Sequence, residues 1–272
     1  MEARDDEAGT GGSGGDDTGG RCRADAEPRE ELAGRVLAAL EAALPGSRAA
    51  LRGSLAAGTA DEFSDIDVEW VVRDAVFGAA VADVPRILAG VRLLTEVRAD
   101  PDFLHSARRR LLFARFEGVS LFWRLDLSVR AESVADDADH DARNPAARAR
   151  EGEWSRPASA LANALGALKA LGRGRPEEAR GLLDRGFARI DERDAATGAW
   201  AADVIRLARA TVRRDGALAA QAERIVALAR SGARRGDTEG TTGVTVAVEG
   251  ADDAEGLERS QGSERPAAGG HG

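Results

Sequence analysis

Apolar positions recur at helical spacing near the start of the chain's structured part. Leu32, Val36, Leu37, Leu40 and Leu44 fall on one stripe, and Pro45-Gly46 stops it. A helix is therefore expected over about 30–44. A short strand is expected over 49–52, ending in Gly53-Ser54, and a second over 67–72, which is apolar and β-branched. The spacing over 83–90 predicts a helix and that over 91–97 a strand. Residues 111–116 and 120–129 read as two strands joined at Glu117-Gly118, which is a hairpin signal. Helices and strands alternate here without strict βαβ order, so a mixed sheet with helices on one face is expected.

Beyond Pro145 the pattern changes. Residues 159–171, 177–190, 195–213 and 217–229 all show helical spacing and almost no strand signal. Breaks fall at 172–176 and at Asp215-Gly216. The expected class is α+β, with a sheet-bearing half over 28–145 followed by an all-α antiparallel bundle over 146–232. The flanks differ from both. Residues 1–27 are glycine-rich and acidic, and 233–272 read the same way, so both are expected to be disordered tails. Val244, Val246 and Val248 alternate like a short strand, but a lone strand needs a sheet to join.

The formal net charge of −9 sits in those tails. Residues 1–27 carry −5 and 236–272 carry −6, which leaves 28–235 at +2. Residues 151–235 hold 16 basic and 11 acidic side chains, so the helical half is biased towards positive charge. A near-neutral core with no basic, aromatic-interleaved surface gives no ground for a nucleic-acid partner. Cys22 is the only cysteine, so neither an internal disulfide nor a Cys/His metal cluster is possible. No run of about 18 apolar residues occurs and no apolar stretch follows a basic start. A cytoplasmic chain that neither spans nor binds a membrane is expected.

The chemistry is carried by Arg52-Gly53-Ser54, a ten-residue spacer, and Asp65-Ile66-Asp67. Glycine lets a backbone approach a phosphate closely, and serine adds a hydroxyl at a helix start. In a strand, residues i and i+2 share a face, so Asp65 and Asp67 project together with Ile66 behind them. Two carboxylates so close repel unless a cation sits between them, and hard oxygen ligands suit Mg²⁺. A third carboxylate, Asp126, lies in the apolar stretch Leu121-Phe122-Trp123-Arg124-Leu125-Asp126-Leu127, where an isolated charge would be costly.

Gly-Ser, a spacer, Asp-x-Asp among apolar residues and a later apolar-Asp-apolar strand resemble the DNA polymerase β-like nucleotidyltransferase superfamily. The two-part layout is similar to its small antibiotic and minimal nucleotidyltransferases. The resemblance spans roughly 30–230 and is specific in 52–67 and 121–128. It implies the nucleotidyltransferase fold, two Mg²⁺ ions, an NTP donor (ATP foremost) and attack by an acceptor hydroxyl on the α-phosphate. By position, Gly53 and Ser54 would bind the β- and γ-phosphates. Asp65 and Asp67 would bridge both metals, and Asp126 would hold the acceptor-side metal or act as base. Lys169, the only lysine, and Arg173, four residues on along the same helix face, could reach the triphosphate.

Other residues divide between chemistry and architecture. Thr59 and Ser64 flank the spacer and either contact phosphate or shape the loop. Arg108–Arg110 either line an acceptor cleft or form a solvated edge. Arg52 either serves phosphate or makes a salt bridge, and Glu69 shares the strand face of Asp67. Glu132 and 136–141 could supply an acidic cleft for a cationic acceptor, or be a loop. Trp123 could border the pocket. His105 and His140 stand at no metal-binding spacing. The expected function is transfer of a nucleoside monophosphate to the hydroxyl of a small molecule, such as an antibiotic. A protein-adenylating enzyme and a catalytically inactive nucleotide-binding module are the alternatives.

Overall fold

The structure, a computed structural model, describes residues 28–239, with side chains described up to 232. The expected tail 1–27 and the valine triplet at 244–248 lie outside the described residues. Internal contacts divide the chain after Ala233, and the sheet and the candidate site both lie before that point.

The class is α+β with a mixed sheet. In chain order the elements are α1 (Arg29–Ala43), β1 (Arg48–Leu51), α2 (Gly53–Ala57), β2 (Ile66–Val72) and α3 (Phe77–Val91). β3 (Leu94–Ala99), β4 (Arg109–Phe116) and β5 (Leu125–Ala131) complete the sheet. Helices α4 (Arg156–Gly172), α5 (Pro176–Arg189), α6 (Trp200–Arg214) and α7 (Ala219–Glu239) follow. The strand order is β1-β2-β5-β4-β3; β2 and β5 run parallel, and every other pair is antiparallel.

Alternation along the central strands sorts apolar from polar. Ile66, Val68 and Trp70 on β2, and Leu125, Leu127 and Val129 on β5, are at most 1% exposed. They form one core with Leu32, Val36 and Leu40 of α1 and Phe77, Val84 and Leu88 of α3. Each such side chain contributes about 1.5–3 kcal/mol by leaving water. The intervening Asp67, Glu69, Asp126 and Ser128 are only partly buried. Their position alternates with the core residues, which places them on the sheet's opposite face.

A second core joins α4, α5, α6 and α7 through Leu161, Leu165, Leu183, Phe187, Leu207 and Ile225. α4 begins cleanly: the Ser155 hydroxyl accepts from the Ala158 amide at 3.1 Å, and a proline follows in the first turn. No described helix is long and apolar enough to cross a membrane.

Several expected elements differ. The helix expected over 83–90 begins at Phe77 and contains Pro85. Its buried face (Phe77, Ala80, Val84, Ile87, Leu88) outweighs the one i→i−4 bond that proline removes. β3 is displaced accordingly and starts at Leu94. The tight hairpin at Glu117-Gly118 is not formed, because β5 starts only at Leu125. Tertiary burial decides this stretch. Leu121 joins the helical core, and the buried Arg115 guanidinium donates to its carbonyl at 2.7 Å. α6 starts at Trp200 because fully buried Asp203 accepts from the Thr197 and Gly198 amides at 2.8 and 3.1 Å, fixing the preceding loop. α7 continues to Glu239, beyond the end expected at 229.

Candidate functional site

Asp67 and Asp126 are register partners on the adjacent parallel strands β2 and β5, and Asp65 immediately precedes β2. The three carboxylates thus gather at one end of the parallel pair. Two cations meet them. Lys169 of α4 donates to Asp65 Oδ1 at 2.5 Å. Arg124 forms a two-pronged pair with Asp126, at 2.5 and 2.6 Å, and lies 4.0 Å from Asp65. Its guanidinium is stacked over Phe113, 4.4 Å from the ring centre.

Asp67 makes no side-chain hydrogen bond or ion pair among the described residues. Burial, and then the neighbouring Asp65 charge, push its carboxyl above the ordinary range, against the pull of Arg124 and Lys169. Burial likewise raises Asp126 against the opposing effect of Arg124. Burial lowers the Lys169 ammonium, with Asp65 resisting. Of the three carboxylates, Asp67 is the one with no cation bonded to it among the described residues.

Gly53 abuts this carboxylate. It opens α2 with φ +57°, and a β-carbon there would collide with Asp67 Oδ2. Both the backbone conformation and the space require glycine. The Arg52 amide donates to the Asp67 carbonyl at 2.8 Å, which holds the turn against β2. Ser54 is half-buried in the first turn of α2, and its carbonyl accepts from the Thr59 amide at 2.9 Å.

The loop from Gly58 to Asp65 is anchored to the helical half. Arg173 donates to both oxygens of Asp61, at 2.7 and 2.8 Å, and holds that carboxyl well below the usual range. The Ser64 hydroxyl donates to Asp61 at 2.7 Å and accepts from its amide at 3.0 Å. Buried Arg29 donates to the carbonyls of Asp61 and Ser64 at 2.5 and 3.2 Å. Phe63 packs against Gly172, and its ring meets Phe122 edge-on at 5.1 Å. Ser64 and Arg173, both expected at phosphate, thus shape this loop in the present arrangement.

A cleft of about 890 Å³ leads away from Asp65, Arg124 and Lys169 between β3–β4 and α4–α5. Residues 148–154 wall its outer side and are tied back by the Ala149 amide to the Pro101 carbonyl at 2.7 Å. The acidic residues expected to line an acceptor cleft do not line this one. Glu69 faces Arg52 and Arg130 at 3.9 and 3.6 Å, Glu132 is exposed, and 136–141 forms turns. Arg108–Arg110 are engaged elsewhere: Arg108 faces Asp74 at 3.5 Å, Arg109 donates to the Ala138 carbonyl at 2.9 Å, and Arg110 donates to the Phe103 carbonyl at 2.5 Å. Trp123 lies against the sheet core and under Arg29, outside the cleft lining. His105 pairs with Glu153 at 2.6 Å. Sequence reasoning missed Arg98, Arg115, Arg185, Arg189, Trp154 and Asn163, which line the cleft. The arginines at 98 and 115, set within apolar strands, were the available signal, because a buried charge is costly without a reason.

The donor set suits a hard cation. It is oxygen-only, includes Asp67 with no cation bonded to it among the described residues, and has two carboxylates in register on neighbouring strands. As placed, no three acidic, imidazole or thiol groups converge on one point among the described residues, since Asp65 and Asp126 are turned onto Lys169 and Arg124. No family model matches this chain, and no curated protein sequence matches it.

Proposed function

We propose that this protein is a metal-dependent nucleotidyltransferase that moves a nucleoside monophosphate, AMP from ATP in the first instance, to the hydroxyl of a small molecule. The observation that carries the reading is the register pairing of Asp67 with Asp126, beside Asp65 and backed by Gly53. Lys169 reaches the same point from the helical half.

Two Mg²⁺ ions would be held by Asp65 and Asp67, with Asp126 completing the acceptor side; bound there, they would neutralise phosphate charge. Gly53 leaves room for the Asp67 carboxylate, and its backbone would lie beside the phosphate oxygens. Lys169 and Arg124 would trade their carboxylates for phosphate oxygens as the nucleotide enters. The acceptor hydroxyl oxygen bonds to the α-phosphorus as the bond from that phosphorus to the β-bridging oxygen breaks. Pyrophosphate leaves, and the hydroxyl proton passes to solvent or, where Asp126 serves as base rather than metal ligand, to Asp126.

A second reading, a non-catalytic nucleotide-binding module, draws on the Arg124–Asp126 and Lys169–Asp65 pairs, which already neutralise two of the three carboxylates. Incubation with Mg²⁺ and each NTP across a panel of hydroxyl compounds separates the two. Pyrophosphate release matched by a nucleotidylated product, and lost on Asp126→Asn, supports the transferase. Mg²⁺-dependent nucleotide binding with no release for any acceptor favours the module.

A further inference from the structure

The cleft beside the carboxylates is basic. Seven arginines and Lys169 line it against four carboxylates, Asp65, Asp100, Asp102 and Glu151. We propose that this cleft is the acceptor site and that the acceptor is an anion, a hydroxyl compound bearing a phosphate or carboxylate group, rather than a polycation. The word acceptor rests on the nucleotidyltransferase reading; the anion site itself does not.

Arg124, Arg156 and Lys169 are paired with Asp126, Asp191 and Asp65, but two of the lining arginines have no carboxylate partner among the described residues. Arg185 makes no hydrogen bond or ion pair among the described residues. Arg189, four residues on along the same face of α5, is held by the Ser159 hydroxyl at 2.8 Å and lies over the Trp154 ring at 5.2 Å, with no carboxylate bonded to it. Arg148 is engaged, by Asp102 at 3.7 Å and the Ala142 carbonyl at 3.5 Å. Arg98 is stacked over Phe113 and shares Glu96 with Arg115. Burial depresses both the Arg98 and Arg115 guanidinium pKa values, so an anion nearby would relieve a cost already present. The Asn163 side-chain nitrogen is buried in the cleft wall without a hydrogen-bond partner. A buried donor left in that state is costly, and an incoming oxygen would offset that cost. The Trp154 ring supplies a flat wall for the body of the molecule.

The position of the cleft separates acceptor from donor. Gly53, Ser54 and Asp67 do not line it, and it meets the carboxylates only through Asp65, Arg124 and Lys169. A nucleotide whose phosphates lie against Gly53 therefore leaves the cleft open to a second molecule. Its hydroxyl can then approach the α-phosphorus from the side opposite the departing pyrophosphate. A polycationic antibiotic would meet seven arginines.

The test is calorimetry on the full chain with matched probes: glucose 6-phosphate against glucose, glycerate against glycerol, and kanamycin as the polycation. At least one anionic probe is expected to bind tenfold or more tightly than its neutral partner, to weaken at least tenfold in Arg185→Ala/Arg189→Ala, and to weaken with added salt. It is also expected to bind alongside Mg²⁺·ATP. Equal binding of anionic and neutral probes, preferred binding of kanamycin, or no effect of the double substitution overturns the proposal. So does competition between the anionic probe and ATP, which would make the cleft the nucleotide's own site. Mg²⁺·ATP binding measured on the same samples keeps the two readings apart. Anion binding that survives where Mg²⁺·ATP does not bind retains the anion site and removes the transferase reading.

Discussion

Asp67 has no cation bonded to it among the described residues. Its carboxyl is raised by burial and by Asp65, so the ionised form is disfavoured in the folded state. The stability associated with this group is full below the ordinary value of 3.8 and is lost as pH rises through the higher folded value. Replacing the charge removes that penalty. Asp67→Asn should therefore raise the melting temperature of the metal-free protein at neutral pH by a few degrees, corresponding to about 1 kcal/mol. It should at the same time abolish Mg²⁺-dependent nucleotide binding. A melting temperature that falls instead would mean that Asp67 is held by a favourable contact. Gly53 presents the opposite case. Gly53→Ala meets both a left-handed backbone, worth about 1–2 kcal/mol, and Asp67 Oδ2. A folded variant with a lower melting temperature and at least tenfold weaker nucleotide binding is expected, and unchanged binding would show that nothing approaches this backbone. The Gly-Ser and Asp-x-Asp spacing was legible in the sequence because strand alternation and a glycine turn are local rules. The roles of Ser64 and Arg173 were not, since Asp61, which claims both, lies in an irregular loop.

The loop from Gly58 to Asp65 and the helix α4 act together. Asp61 is lowered by Arg173, so the pair's contribution is present above the ordinary Asp value of 3.8 and is lost as pH falls below it. Asp61 is largely exposed to water, so the contribution is at most about 1 kcal/mol. Urea unfolding of Asp61→Asn should show less loss of stability than the parent protein between neutral pH and pH 3; parallel curves would contradict the assignment. The 117–124 connection links sheet and helices differently. Leu121 is 7% exposed within the helical core, and Leu121→Ala should cost about 2–4 kcal/mol in denaturant unfolding. A cost below about 0.5 kcal/mol would mean that the site collapses around the smaller side chain. Local pattern read this stretch as a strand because Leu121, Phe122 and Trp123 are apolar. Their burial lies in the tertiary contacts of two different cores, which period-two alternation does not encode. Helix α3 likewise extends beyond the expected 83–90, because the packed face around Pro85 outweighs that proline's local effect.

The carboxylate end of the sheet was readable because Asp67 and Asp126 lie on strands with simple periodicity and Asp65 immediately precedes one of them. The cleft was not, because its arginines come from β3, β4, the connection before β5, the segment before α4, α4 itself and α5, and only the fold brings them together. Net charge concealed it further, since the terminal stretches carry the acid while the cleft is basic. The central proposal is that Asp65, Asp67 and Asp126 form a cation-dependent nucleotide site. That is tested most directly by calorimetric titration of ATP into the full chain with and without Mg²⁺, for the parent protein and Asp67→Asn. Saturable binding that needs Mg²⁺ and disappears in the variant is the predicted result. Binding that is indifferent to Mg²⁺, or equal in the two proteins, for ATP and for GTP, CTP and UTP alike, would contradict it.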